Sequence, residues 1–296
     1  MAKVFIGMPA YNGERFIREA IDSLLNQSYT DWKMFISDDS STDNTAAICK
    51  EYAGIEPRII YYRQKKNLGL FANFKFVLDK ADTDYFIWAA QDDIREKDYL
   101  KICVEQLEKN SGLGLATTRM AAIDSFGRTL VEELELTRFS EKPTAQNVIR
   151  YVLQPEILGK CNLMYGLFRT MVARETWQAY PQRQTWGQDY MFSLALIARH
   201  KVYVDEKILF KKRLGGFSSP HALAYDMATS VKKIEYKNPK NHMFPFKRFK
   251  GYYNGHMEAL RGTPYRPLAA ILLFARLPRA FFIYLSERNF KKVFLS

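Results

Sequence analysis

The first 118 residues predict an α/β fold, a mainly parallel sheet flanked by helices. Three observations carry that reading. Short apolar runs alternate with amphipathic helical stretches. The connections between them are short. Each of the first four runs ends in Asp, Asn or Gly, the residue types of turns at strand ends. The composition agrees: 296 residues, 47% hydrophobic and 26% charged, with a mean hydropathy of −0.29. That excludes a disordered chain, a collagen and a bundle of membrane spans.

The elements follow in order. Residues 3–8 are an apolar run stopped by Pro9, the pattern of a buried strand. Residues 14–26 place Phe16, Ile17, Ala20, Ile21, Leu24 and Leu25 at helical spacing. A second strand is expected over 33–37 and a helix over 43–52, with Ser41 or Thr42 as its cap. Strands over 58–63 and 84–90 bracket a helix over 70–78, and a helix over 96–109 precedes a fifth strand over 113–118. The later chain is less regular. It predicts a helix over 144–153, a strand over 163–173, a helix over 189–200 and a strand over 201–211. Gly215-Gly216-Phe217-Ser218-Ser219-Pro220 reads as a flexible loop.

Charge divides the chain differently. Residues 231–296 hold fourteen Lys and Arg against three acids, Glu235, Glu258 and Glu287. The first 230 residues hold thirty against twenty-nine. A nearly neutral body thus carries a basic tail, which suits a polyanion or an anionic membrane face. Cys49, Cys103 and Cys161 form no CxxC pair, so no disulfide framework or thiolate zinc site is expected. With the start of the chain leading straight into a strand and no secretory leader apparent, a cytoplasmic location is expected.

The chemistry is expected where the strands end, because ligands of open α/β sheets bind beyond the carboxyl ends of the strands. Pro9-Ala10-Tyr11-Asn12-Gly13-Glu14, Asp38-Asp39-Ser40-Ser41-Thr42-Asp43, Asn67-Leu68-Gly69 and Gln91-Asp92-Asp93 occupy four successive ends. Any one could be a simple turn or helix cap. Four together gather carboxylates that repel one another unless something cationic binds. Asp92 and Asp93 follow the apolar Tyr85-Phe86-Ile87-Trp88-Ala89-Ala90. Hard divalent ions take such oxygen ligands and keep waters or substrate phosphates as the rest.

These motifs resemble those of the inverting family 2 glycosyltransferases with the GT-A fold, over about residues 3–118. Gly187-Gln188-Asp189 and, more loosely, Lys212-Arg213 extend the likeness. The resemblance implies a nucleotide-sugar site made by Pro9, Tyr11, Asn12, Glu14, Asp38, Asp39, Asn67, Gly69 and Asp92, with Asp39 accepting from the base. It implies Mg²⁺ or Mn²⁺ at Asp92 or Asp93, and Ala90 stands where many members carry a further acid. It implies that Asp189 deprotonates the acceptor hydroxyl. An Asp there is equally an ordinary helix N-cap. Lys212, Arg213 and His221 are candidates for the donor phosphates or a lid, against plain solvated positions. Trp177 and Trp186 could stack on an acceptor sugar or belong to the core.

The organisation expected is a nucleotide-sugar half (1–118), an acceptor and catalytic-base half of the same domain (119–240), and a basic amphipathic helical extension (241–296). The run over 268–285 is interrupted by Arg276, Pro278 and Arg279, so it suits a helix lying in a membrane interface better than one crossing it. A helical cap packed on the domain is the competing reading. The function expected is transfer of a sugar from a UDP-, dTDP- or GDP-sugar to a glycan or lipid-linked polysaccharide precursor. It would take place at the inner face of the plasma membrane, with no nucleic-acid partner. The alternative is a non-catalytic protein that binds membrane or polyanion on a similar fold. A nucleotidyltransferase lacks support, because no Gly-rich phosphate loop opens the chain.

Overall fold

Strand β1 (Val4–Ala10) is buried at every position and forms the axis of the sheet. The computed structural model describes residues 2–134, 145–153, 162–180, 188–214 and 249–278. β1 pairs in parallel with β2 (Trp32–Asp38) on one side and with β4 (Tyr85–Trp88) on the other; β2 pairs in parallel with β3 (Ile59–Arg63). Helices α1 (Ile17–Leu25), α2 (Thr45–Ile55) and α3 (Leu70–Asp79) make the crossovers. This is the parallel half that the alternating pattern predicts.

The remaining elements are β5 (Ile94–Arg95), α4 (Tyr99–Lys109), β6 (Leu113–Ile123), β7 (Thr129–Leu134), α5 (Ala145–Leu153) and β8 (Leu167–Arg169). After them come α6 (Thr170–Ala179), α7 (Gln188–Ile197), β9 (Lys201–Arg213), α8 (Phe249–Ala259) and α9 (Arg266–Ala275). The sheet runs β3-β2-β1-β4-β8-β6-β9-β5, with β7 beside β6. The second half is mixed. β8 is antiparallel to β4 and β6, β7 to β6, and β5 to β9, while β6 and β9 are parallel. β6 runs on past residue 118, the boundary expected between the two halves.

Two expectations change. The apolar stretch 163–173 is a 3₁₀ turn (Asn162–Tyr165), three residues of strand and then helix α6. Apolar continuity alone does not separate a buried strand from a buried helix. The helix predicted from residue 43 begins at Thr45, and Asp43 rather than Ser41 or Thr42 accepts the Thr45 N–H, at 3.0 Å. Trp177 is a core residue, its ring 5.7 Å from that of Trp88 and 6.0 Å from that of Phe192. Trp186 and Cys161 lie outside the described residues. Cys49 and Cys103 are buried thiols, and burial pushes Cys49 up to about 12.

Apolar side chains pack on both sheet faces. One cluster joins Phe5, Phe86, Trp88 and Phe168 to α3, α5, α6, α7, α8 and α9. The other joins Val4, Ile6, Met34 and Ile87 to α1, α2 and α4. Each large side chain removed from water adds about 1.5–3 kcal/mol, which stabilises the three layers around the sheet.

Candidate functional site

The register brings the predicted motifs together. Ala10 pairs with Asp38 and Asp38 with Arg63, so β1, β2 and β3 end at one level. β4 ends opposite Gly7, and the Ala89 N–H then donates to the Gly7 carbonyl, at 2.9 Å. The loops beyond these four ends share one edge of the sheet.

Side-chain oxygens and amides tie those loops into a single wall. Gln91 clamps the loop after β1: the Tyr11 N–H donates to its Oε1 at 2.8 Å and its Nε2 donates to the Tyr11 carbonyl at 2.9 Å. Asn12, with a φ of 46°, donates its N–H to Ser41 Oγ at 3.0 Å and accepts the Thr42 N–H at 2.8 Å. The Gly13 N–H donates to Thr45 Oγ1 at 2.7 Å, and Glu14 accepts the Asn44 N–H at 2.9 Å. Pro9 lies buried at the end of β1.

The two carboxylates after β2 have different tasks. Asp38 is buried, and accepts from the Ser41 N–H at 2.9 Å and the Tyr61 hydroxyl at 2.8 Å, which fixes the loop itself. Asp39 reaches across to the third loop: its Oδ1 accepts the Leu68 N–H at 2.7 Å and its Oδ2 the Gly69 N–H at 3.0 Å. Gly69 has a φ of 87°, a backbone that L side chains rarely adopt. Asn67 adds a 3.2 Å bond to the Asp39 carbonyl. Asp39, Asn67 and Gly69 are therefore one unit, and each Asp39 oxygen keeps a further lone pair.

The Asp92-Asp93 turn is held from behind. Asp93 is buried; its Oδ1 accepts the Arg213 N–H at 2.9 Å, while no hydrogen bond reaches its Oδ2. Lys212 Nζ stands 3.6 Å from that oxygen. Asp92 is half-buried. Burial first, and the adjacent Asp93 second, raise its pKa to about 6, with Lys212 and Arg213 pulling the other way. A carboxylate oxygen with no hydrogen bond, facing the Lys212 ammonium, beside a carboxylate whose proton is held more tightly than usual fits a divalent cation. Among the described residues no three His, Cys, Asp or Glu side chains gather at one point. A cation here would complete its shell from water and substrate, as one or two carboxylates require.

Arg213 is buried, and each of its guanidinium nitrogens donates within the protein. Nε reaches the Asp92 carbonyl at 3.0 Å, Nη1 the Asp124 carbonyl at 2.7 Å, and Nη2 the Glu19 carboxylate. The guanidinium also lies 4.5 Å from the centre of the Phe16 ring. It thus joins the Asp92-Asp93 turn, the β6–β7 hairpin and α1, and Lys212 is the more exposed of the pair. Arg95 is a second buried arginine, donating to the carbonyls of Trp88 at 2.9 Å and Tyr165 at 3.2 Å. The roles of Gln91, Arg95 and Arg213 escaped the sequence, because their partners are 70 or more residues away in the chain or main-chain atoms.

Asp189 opens α7 and its Oδ1 accepts the Tyr190 N–H at 3.0 Å. Its position follows from Phe192, three residues on, whose ring meets Trp88 edge-on at 5.5 Å. α7 is therefore anchored on the last residue of β4, four before Asp92. From α5, the Tyr151 hydroxyl donates to the Tyr190 carbonyl at 2.6 Å. A helix N-terminus favours an ionised carboxylate. His221 and the loop over 215–220 lie outside the described residues.

Comparison with known proteins adds the family. The model of "Glycosyl transferase family 2" matches residues 5–171, more than half of the chain. EpsE of Bacillus subtilis (strain 168), named as a glycosyltransferase, is 37% identical over 126 residues, 42% of this chain and 45% of EpsE. The dTDP-rhamnosyl transferase RfbG of Shigella flexneri is 35% identical over 133 residues, 43% of this chain and 46% of RfbG. The chain thus spans less than half the length of these curated relatives. Among solved structures, Staphylococcus aureus TarS residues 1–349 with UDP-GlcNAc matches with a TM-score of 0.65. It covers 95% of this chain and 73% of the TarS chain, at 16% identity, a likeness of fold.

Proposed function

Because the chain belongs to glycosyl transferase family 2, an enzyme family that moves sugars, we propose that it transfers a sugar from a nucleoside-diphosphate donor to a hydroxyl of a glycan or lipid-linked polysaccharide precursor, with inversion at the anomeric carbon. The observation that carries this reading is the convergence of four strand ends into one hydrogen-bonded wall closed by Asp92-Asp93. UDP-, dTDP- and GDP-sugars are the donor classes. The dTDP-rhamnosyl name of RfbG and the UDP-GlcNAc bound to TarS are in keeping with the first two, without ranking them above the third.

The wall formed by Pro9, Tyr11, Asn12, Glu14, Asp38, Asp39, Asn67 and Gly69 receives the nucleotide. Asp39 spends one lone pair per oxygen on the 67–69 turn and offers the other to an N–H of the base. Asp92 and Asp93 would hold Mg²⁺ or Mn²⁺, which when bound neutralises charge on the departing nucleoside diphosphate. Asp189 takes the proton of the acceptor hydroxyl as that oxygen bonds to the anomeric carbon. The bond from that carbon to the phosphate oxygen breaks on the opposite face, and the electron pair leaves with the diphosphate. Lys212, and from the sequence His221, are the candidates to meet the phosphates or close over them; Arg213 acts by positioning the Asp92-Asp93 turn.

The basic tail brings the enzyme to the anionic inner face of the plasma membrane, where a lipid-linked acceptor would lie. Among the described residues no helix is long and apolar enough to cross a membrane.

The test is a donor screen. The purified chain is titrated with UDP-, GDP- and dTDP-sugars, with and without Mn²⁺, following thermal stabilisation and release of nucleoside diphosphate. A donor at 100 times its Kd should add about 2.7 kcal/mol. Metal-dependent stabilisation by one class is expected, lost in the D92A/D93A double variant. Asp189→Asn should keep donor binding and lose transfer. Failure of every donor to stabilise the protein would overturn the reading.

A further inference from the structure

Resting on the cation-assisted reading above, we propose that Lys212 is the resident counter-ion of the Asp92-Asp93 turn. Its ammonium guards Asp93 in the cation-free protein, and a divalent cation arriving with the nucleoside diphosphate transfers it from that carboxylate to the diphosphate. β9 brings Lys212 and Arg213 to the back of the turn, and successive residues of a strand point to opposite faces of the sheet. Arg213 is the fixed member. Its side chain is 1% exposed and donates to the Asp92 and Asp124 carbonyls at 3.0 and 2.7 Å. Lys212 is the adjustable one. Its side chain is 20% exposed, and Nζ stands 3.6 Å from Asp93 Oδ2 and 4.6 Å from the centre of the Tyr165 ring. An ion pair at that separation and a ring face are not directed hydrogen bonds, so neither contact fixes the ammonium at one point.

Asp93 is where the two cations compete. Its Oδ1 accepts the Arg213 N–H at 2.9 Å, a main-chain bond that holds the carboxylate in place. Its Oδ2 is buried and takes no hydrogen bond, and the Lys212 ammonium stands before it. A cation that binds this oxygen must move a group of its own sign. The four-carbon lysine stem with its rotatable ammonium allows that, whereas the fork of Arg213 does not. The ring beside the ammonium is a fixed stop, because the Tyr165 carbonyl accepts from Arg95 and from the Tyr99 hydroxyl, each at 3.2 Å. The lysine also has a use while the cation is absent. Asp92 and Asp93 are adjacent carboxylates on one turn, and an ammonium at short range offsets their repulsion.

The exchange couples two ligands. A cation alone must expel the ammonium without offering it another anion. A cation on one or two carboxylates takes phosphate oxygens among its remaining ligands, so a nucleoside diphosphate brings an anion to the same place. The displaced ammonium then passes from one anion to another within the reach of its own stem. Cation and diphosphate therefore tighten one another's binding, and the effect is reciprocal.

The experiment uses the full chain and reads equilibrium binding, with no acceptor and no turnover. Mn²⁺ is titrated by electron paramagnetic resonance into wild type, Lys212→Met and Lys211→Met, alone and with saturating UDP, dTDP or GDP. The same nucleotides are titrated at saturating Mn²⁺. Lys211 is the neighbour on the opposite face, paired with Glu96 at 2.6 Å, so its variant removes the same charge without touching the turn. Lys212→Met is expected to bind Mn²⁺ alone about tenfold more tightly, and the nucleoside diphosphate about tenfold more weakly. Lys211→Met should match wild type in both. Lys212→Gln should repeat the pattern with a polar side chain, which separates it from a change in packing. Adding Asp93→Asn to Lys212→Met should abolish the gain in Mn²⁺ binding. If Mn²⁺ binds and Lys212→Met changes neither affinity, the exchange is overturned while the metal reading stands. Weakening of both, or tighter Mn²⁺ with unchanged nucleotide binding, overturns it too, since the lysine then does not pass from carboxylate to diphosphate. If no Mn²⁺ binds with or without nucleotide, the metal reading itself fails and the exchange with it.

Discussion

Adding one methyl group at Gly13 should cost the protein the Gln91 clamp. A Cβ built on Gly13 would sit 2.6 Å from Gln91 Cδ, far inside nonbonded carbon contact, and would meet the amide oxygen as well. Gly13 does not have a positive φ, so the backbone itself tolerates alanine. The strain falls on the Gln91 amide, which must swing away and give up both bonds to Tyr11, at 2.8 and 2.9 Å. Each such bond contributes about 1 kcal/mol net. Gly13→Ala should therefore destabilise by about 2 kcal/mol, and Gln91→Ala by about the same through the same two bonds. The double variant should cost little more than either single one, because the bonds can be lost only once. The coupling energy is then about 2 kcal/mol, within the range of residues that share a network. Urea unfolding of the four proteins in one cycle measures it. Additive costs, near 4 kcal/mol for the double variant, would refute the argument. Donor binding should follow the same non-additive pattern, since Tyr11 belongs to the proposed nucleotide wall.

Three other outcomes follow from the site. Arg213→Met should destabilise by about 3–5 kcal/mol, because it removes a buried charge together with its hydrogen bonds; at about 2–4 °C per kcal/mol the melting temperature should fall by roughly 6–20 °C. Arg213→Lys should recover only part of this, since an ammonium cannot reproduce the fork that spans the Asp92 and Asp124 carbonyls. Calorimetry decides, and a loss under about 1 kcal/mol for the methionine variant would remove Arg213 as a lock. Asp92, raised to about 6 when folded, binds its proton more tightly in the native state. Its contribution to the stability of the metal-free protein should therefore fall as pH rises from about 4 to 6, and Asp92→Asn should flatten that slope in unfolding curves taken across the window. Asp39→Ala should weaken donor binding in titration calorimetry by tenfold or more, since it frees the 67–69 turn by two charge-assisted bonds.

Much of the first half was legible before any coordinates. Alternating apolar runs and helical stretches gave β1 to β4 and their crossover helices; β1, β4 and the middle of β2 (34–36) are continuously apolar because parallel strands buried on both faces must be, while β3 at the sheet edge exposes three of its five residues. Asp39, Asn67, Gly69, Asp92 and Asp93 could be picked out because each follows such a run. The later half was less readable for a physical reason. Residues 163–173 are mostly apolar, with Arg169 and Thr170 the polar breaks, and a short apolar run does not by itself separate helix from strand. The short antiparallel strand β8 and the two-residue β5 leave too few residues to carry a pattern.

The sequence by itself determined which residue types stand at the ends of four strands, and a carboxylate-rich strand end is a local property of a few consecutive residues. The tertiary structure alone decided how those ends hold one another. Gln91 reaches Tyr11 across 80 residues, Asp39 reaches Leu68 across 29, and Arg213 reaches Glu19 across 194. It also decided that Arg213 faces inward as a lock. A side chain's type is written in the sequence, but its partner depends on which strands the sheet sets side by side, and no local pattern encodes that.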